Sequence, residues 1–173
     1  MEMRADESER ICRHIIASRW YRKAQVIAGY VPLKWEADIT PVLQHALASG
    51  KTLALPLCGT APHMTLRRVT ALEELHPGAY GIPEPSAEAE IIPPEEVQLL
   101  LIPLEGIAED GTRLGKGGGY YDRLLAGCDA YAMGCALSWQ RVERIPREEW
   151  DRPLCACADR DGIREFVYQA NQE

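Results

Sequence analysis

Val97-Gln-Leu-Leu-Leu-Ile-Pro103, followed by Gly111-Thr-Arg-Leu-Gly115-Lys-Gly-Gly-Gly-Tyr120-Tyr-Asp122-Arg123, is the part of the chain whose reading decides the fold. The first run is short and apolar throughout, as a strand buried on both faces is. Behind the glycines, Tyr121, Leu124 and Leu125 recur at helical spacing before Gly127, which predicts a helix beginning near Tyr120. Strand, long glycine loop and helix in that order mark the crevice where open α/β sheets bind ligands, beyond the carboxyl ends of the strands. Five of the fourteen glycines fall within residues 111–119. A run of this kind lets several backbone N–H groups face one point, as a phosphate cradle requires. Arg113, Lys116 and Arg123 add charge-assisted donors, and the helix start adds its positive dipole end. The string is neither a Walker A loop nor Gly-x-Gly-x-x-Gly. A flexible surface loop is the competing reading, weakened because long structureless loops inside compact domains usually carry function.

Outward from this stretch, the chain alternates helix and strand. Asp6 and Glu9 have the spacing of a capping box, and Ile11, Ile15 and Ile16 then predict an amphipathic helix over residues 7–18. Residues 25–31 read as a buried strand ended by Pro32. Thr40 as N-cap with Pro41 behind it opens a second helix, which Gly50 closes. A strand over 52–57 follows, then a half-exposed one over 64–69. Residues 76–94, rich in Pro and Gly, read as an irregular surface passage. Further strands are predicted over 131–137 and 155–158, with a short turn or helix at 146–151 between them. The pattern is that of a parallel α/β unit. With 173 residues and no repeat or linker, one domain spanning 1–173 is expected.

Composition narrows the function class. The net charge is −7 and the isoelectric point about 5.2, which argues against a nucleic-acid partner. In so acidic a chain, a local knot of cations points to a small anionic ligand met at one place. No apolar stretch approaches the ~18 residues of a membrane span, and the charged start lacks a signal-peptide core, so a cytoplasmic protein is expected, as a monomer. The six cysteines then stay reduced. None forms Cys-x-x-Cys, which disfavours zinc, and Cys155 and Cys157 read as small buried hydrophobes sharing one strand face.

Four carboxylates are candidates for the site. Glu36 and Asp38 lie beyond the strand ending near Val31, where a ligand ring or a cation would meet them. Both also suit decoration of the following helix start, the preferred reading for Asp38. Asp122, beside the glycine loop, is placed to hold Mg²⁺ next to phosphates or to stand as a helix-start acid. Asp151 would supply a second oxygen or cap a turn. No Ser/His/Asp or Cys/His arrangement emerges, which speaks against a hydrolytic nucleophile.

The string Arg-Leu-Gly-x-Gly-x-Gly-Tyr-Tyr-Asp at residues 113–122 resembles the signature of the 5-formyltetrahydrofolate cyclo-ligase family. Weaker matches follow in the family's order: Tyr30-Val31-Pro32 with Glu36, Gly50-Lys51 with Leu55-Pro56, His63-Met64, Gly81-Ile82 with Glu84-Pro85, Ile102-Pro103, Gln140, Pro146 and Asp151. The resemblance covers roughly residues 7–162. It implies a three-layer α/β/α fold with a mostly parallel sheet, of the ribose-isomerase/CoA-transferase type. It also implies conversion of 5-formyltetrahydrofolate to 5,10-methenyltetrahydrofolate with ATP and Mg²⁺, releasing ADP and phosphate by way of a phosphorylated formyl oxygen.

Carried over by position, Arg113, Leu114, Gly115, Lys116, Gly117, Gly118, Gly119, Tyr120 and Tyr121 contact ATP. Val31, Glu36, Lys116, Gly117, Gly118, Gly119 and Tyr120 contact the folate. Arg113, Lys116 and Tyr120 carry the chemistry, and Asp122 and Asp151 hold Mg²⁺. Met1-Glu-Met-Arg-Ala does not match the family's N-terminal Lys-x-x-Leu-Arg arm; Arg4, Arg10 and Lys34 are the cations that could stand in for it at the ATP phosphates, with Arg4 the best placed. Two alternatives fit the same residues: a family member that binds folate or nucleotide without efficient turnover, and a phosphoryl-transfer enzyme with another small substrate.

Overall fold

The computed structural model describes residues 2–78, 81–115, 119–146 and 152–166. Its centre is an eight-stranded sheet whose five inner strands run parallel. In chain order these are β1 (Val26–Ala28), β2 (Thr52–Cys58), β7 (Leu99–Pro103), β10 (Tyr131–Cys135) and β12 (Ala156–Asp159). Across the sheet the order is β13-β12-β10-β7-β1-β2-β3-β6, so β7 and β1 lie at the middle. The outer strands β3 (Met64–Val69), β6 (Ile91–Ile92) and β13 (Gly162–Glu165) pair antiparallel.

Strand periodicity sorts the core into two layers. Ile27, Leu53, Leu55, Leu99, Leu101 and Met133 point to one face. There they pack on Ile11 and Ile15 of α1 (Glu2–Ala17), Tyr21 of α2 (Arg19–Lys23) and Val42, Leu43 and Ala46 of α3 (Thr40–Ala48). Their neighbours Ala28, Ala54, Leu100, Ile102 and Ala132 point to the other face and meet Leu124 and Leu125 of α4 (Tyr120–Ala126). The result is the expected α/β/α arrangement with a mostly parallel sheet. Cys155 and Cys157 lie on the α4 side as small apolar groups, and burial pushes the Cys157 thiol up to about 12.

Several local expectations are corrected. α1 begins at Glu2, so Asp6 is an exposed residue inside the helix and no cap. The Glu-Met-Arg-Ala-Asp-Glu run contains only helix-compatible residues, and nothing in it stops the helix from extending backwards. Thr40 is itself the first helical residue. The first-turn acceptor comes from Asp38, whose Oδ1 receives the Thr40 N–H at 3.0 Å, which bears out the helix-start reading of Asp38. The strand predicted over 25–31 keeps only Val26–Ala28. Residues 76–94 are more ordered than their composition implies: β4 (His76–Pro77) pairs with β5 (Pro83–Glu84), and Ile91–Ile92 closes the sheet edge.

A second, three-stranded sheet was missed altogether. It joins β8 (Gly106–Ala108), β9 (Arg113–Leu114) and β11 (Arg141–Val142) in the order β11-β8-β9. Its hairpin turns at Asp110-Gly111, with Gly111 at φ +88° and the Thr112 N–H bonded to Asp110 Oδ1 at 2.9 Å. Asp-Gly is a strong short-range hairpin signal, and it was legible beforehand. The consequence is functional, because this hairpin carries Arg113. The turn or helix predicted at 146–151 lies almost wholly outside the described residues.

Candidate active site

The carboxyl ends of β1, β2 and β7 open into a cavity of about 740 Å³, a size that suits a small organic ligand. Val31, Glu36, Arg113, Leu114, Gly115, Gly119, Tyr120, Tyr121 and Asp122 all line it. The structure therefore gathers into one place residues that the sequence spreads over ninety positions. Lys116, Gly117, Gly118 and Asp151 lie outside the described residues.

Arg113 is the most constrained cation of the site. Its side chain is only 10% exposed, and its Nη1 stands 3.4 Å from Asp122 Oδ1. Nε donates to the carbonyl of Pro103, the last residue of β7, at 3.4 Å. The guanidinium carbon lies 5.3 Å from the Tyr121 ring centroid, a cation–π contact. Burial lowers the guanidinium's affinity for its proton, and Asp122 partly restores it. The same burial raises the Tyr121 phenol well beyond its ordinary value, so it keeps its proton at neutral pH. Gly115 makes room for this arrangement: a Cβ there would lie 2.4 Å from Arg113 Nη2. Asp122, by contrast, is 58% exposed and faces the open cavity.

Gly119 stands immediately before α4 with φ +73°, a conformation that side-chain-bearing residues rarely adopt. A Cβ added there would also press on Pro62 at 3.3 Å. Tyr120 opens the helix, and its hydroxyl donates to the Gly59 carbonyl at 3.2 Å, which ties the α4 start to the loop after β2.

The segment after β1 forms the opposite lip. Glu36 is buried, and its Oε1 accepts the Leu33 N–H at 2.7 Å. Tyr30 donates to the Ala37 carbonyl at 2.8 Å beneath it. Arg4 reaches the same segment. Its Nε donates to the Glu36 carbonyl at 2.8 Å and its Nη2 to the Leu33 carbonyl at 3.1 Å, so two of its donors hold the backbone that presents Glu36. Ser8 and Cys12 reach the same segment at Asp38. α1 is thus a brace for this lip.

Sequence reasoning gave no site role to several residues here, although Met64, Ile82, Glu84 and Gln140 stand among the family matches. Gln140 is buried next to the cavity residue Leu104, its Nε2 donating to the Leu104 carbonyl at 2.6 Å and its Oε1 accepting the Leu137 N–H at 2.9 Å. Trp35, Met64, Ile82 and Ile145 contribute apolar lining, and Glu84 contributes a buried carboxylate. Among the described residues there is no cluster of three or more His, Cys, Asp or Glu side chains that would hold a metal alone. No helix among them is long and apolar enough to cross a membrane.

Comparison with known proteins agrees with this geometry. The 5-formyltetrahydrofolate cyclo-ligase family matches residues 1–158. A 5-formyltetrahydrofolate cyclo-ligase of Escherichia coli (strain K12) is 32% identical over 139 residues, covering 77% of this chain and 76% of that protein. The NMR structure of the Aquifex aeolicus 5,10-methenyltetrahydrofolate synthetase superposes with a TM-score of 0.84 at 35% identity, over 99% of this chain and 87% of the other. A 5,10-methenyltetrahydrofolate synthetase from Mycoplasma pneumoniae shares the fold, with a TM-score of 0.74 at 22% identity over 91% of this chain and 87% of that one. The chain belongs to the 5-formyltetrahydrofolate cyclo-ligase family, a family of ligases.

Proposed function

We propose that this protein converts 5-formyltetrahydrofolate to 5,10-methenyltetrahydrofolate with consumption of ATP. The observation that carries the reading is the desolvated Arg113 guanidinium, held between the Pro103 carbonyl, the Tyr121 ring and Asp122 at the edge of a ligand-sized cavity. ATP would supply a phosphoryl group to the formyl oxygen, so that N10 closes the ring on the formyl carbon and the oxygen departs with phosphate. Such a transfer asks the protein mainly for positioning and charge stabilisation. Arg113, pre-oriented in a poorly hydrated pocket, would neutralise charge on the transferring oxygens. The backbone from Gly115 to Gly119, with Lys116, would cradle the phosphates. Glu36 and Val31 would face the pterin, and Tyr120 would close the site at the helix start.

A divalent cation fits this donor set. Mg²⁺ is commonly bound by one or two carboxylates together with substrate phosphates, and Asp122 offers an exposed carboxylate at the cavity wall. Asp122, with Asp151, would hold it. The reading is tested by ADP release: 5-formyltetrahydrofolate should be required for it, and ADP release independent of any folate would point to another phosphoryl-transfer reaction.

Two mutational expectations follow from the geometry. Gly115→Ala should leave the fold intact and push the Arg113 guanidinium out of place, since its added Cβ overlaps Arg113 Nη2. A misplacement of this size costs on the order of 10- to 100-fold in turnover. Steady-state kinetics beside a thermal melt check this, and full activity with an unchanged melt would mean Arg113 is not the group that matters. Arg4→Ala should act on the folate side. Loss of the two bonds to the Leu33 and Glu36 carbonyls is worth about 1–3 kcal/mol of stability. KM for the folate should rise a few-fold while KM for ATP stays put. A rise confined to ATP would restore Arg4 as a phosphate-binding cation.

A further inference from the structure

One buried carboxylate of the cavity has no role in the reading above. Glu84 sits on β5 and is only 6% exposed, among lining residues that include Pro56, Met64 and Ile82. Its side chain is wedged against Gly78, where a Cβ would come within 2.3 Å of the carboxyl carbon. Among the described residues, no hydrogen bond or ion pair reaches its oxygens. Those oxygens nevertheless keep access to open space, because the one enclosed side-chain oxygen without a partner among the described residues is Thr112 Oγ1. A neighbouring ionisable group is the Cys58 thiol, raised by burial and by Glu84 itself, and among the described residues no cation lies in that wall. A buried carboxylate without donors is costly, so this wall is built for a ligand that brings N–H groups. The other three carboxylates of the cavity are differently placed, with Glu36 accepting the Leu33 N–H, Glu105 exposed and Asp122 facing Arg113.

We propose, resting on the function assigned above, that Glu84 anchors the amino-lactam edge of the pterin. The ring's N3–H and 2-amino group present two parallel N–H donors to the two carboxylate oxygens, a bidentate fit of the kind guanidinium groups make. The placement agrees. N5, with its formyl group, and N10 must face the glycine loop and Arg113, and the 2-amino edge lies at the other end of the bicyclic ring. Arg113 is tethered to the end of β7, and β5 packs against β2, with β1 between them. Two strand spacings amount to roughly 10 Å, a span that a fused bicyclic ring fills with its contacts at both ends. Glu84 thereby becomes a specificity residue, favouring 2-amino-4-oxo pteridines over rings that lack the donor pair.

The test pairs Glu84→Gln with 5-formyltetrahydrofolate and its 2-desamino-2-methyl analogue. Glu84→Gln should raise KM for the natural folate about 10- to 100-fold, the value of charged hydrogen bonds, with KM for ATP and the melting temperature unchanged. The wild type should lose a similar factor on the analogue, and the variant should handle analogue and natural folate alike. Gly78→Ala, which displaces the carboxylate without removing it, should reproduce the effect and serves if Glu84→Gln fails to fold. An unchanged KM in Glu84→Gln, or losses from variant and analogue that simply multiply, overturns the proposal. A wild type that does not turn over 5-formyltetrahydrofolate at all would instead overturn the assigned function, so the two failures are separable.

Discussion

Arg113→Ala is expected to lower kcat by about 10²- to 10³-fold, the cost of deleting one preorganised donor at a developing charge. KM for the folate should change much less, because on the proposed reading the guanidinium meets the transferring phosphoryl group and acts most in the transition state. Stability should hold or rise slightly, since the substitution removes a cation whose burial is unfavourable. Arg113→Lys should rescue little. A lysine cannot stack flat on Tyr121 while reaching both the Pro103 carbonyl and Asp122. Steady-state kinetics for both variants decide the matter, and equal losses in kcat and in folate affinity would recast Arg113 as a ground-state binding residue.

Gly119→Val is expected to abolish measurable ATP binding, a loss beyond about 30-fold. The backbone at φ +73° disfavours a β-branched side chain by about 1–3 kcal/mol, and the added atoms would fill the space of the anion and press on Pro62. The position lies in a loop outside both core layers, so circular dichroism and thermal melting should report a folded protein. Calorimetric titration with ATP checks the claim. Wild-type affinity in a folded Gly119→Val protein would mean that the loop does not cradle phosphates.

The central strand and the start of α4 were legible because each carries a signal within a few residues: an apolar run for β7, and helical spacing ended by Gly127 for α4. β8, β9 and β11 were not, because strands of two or three residues are too short to display an alternating pattern. Asp110-Gly111 was the one sign of them. The start of α1 was misplaced for a different reason, as a capping box was read into a run that continues the helix on both sides. Arg4's bonds to Leu33 and Glu36 were not foreseen because these partners lie some thirty residues away and no local pattern announces them. Glu84 was quoted only as a family match, and its burial at the cavity was hidden by its setting, a Pro- and Gly-rich passage that reads as surface. The candidate site was thus visible where its parts are contiguous, and invisible where the fold brings distant side chains to one wall.

The most direct test is an absorbance time course with the purified protein, 5-formyltetrahydrofolate, Mg²⁺ and ATP. The methenyl product has a conjugated amidinium that absorbs at longer wavelength than the substrate. The account predicts a long-wavelength rise that requires ATP and that Gly119→Val abolishes. No rise with all components present, or the same rise with ATP left out, would contradict it.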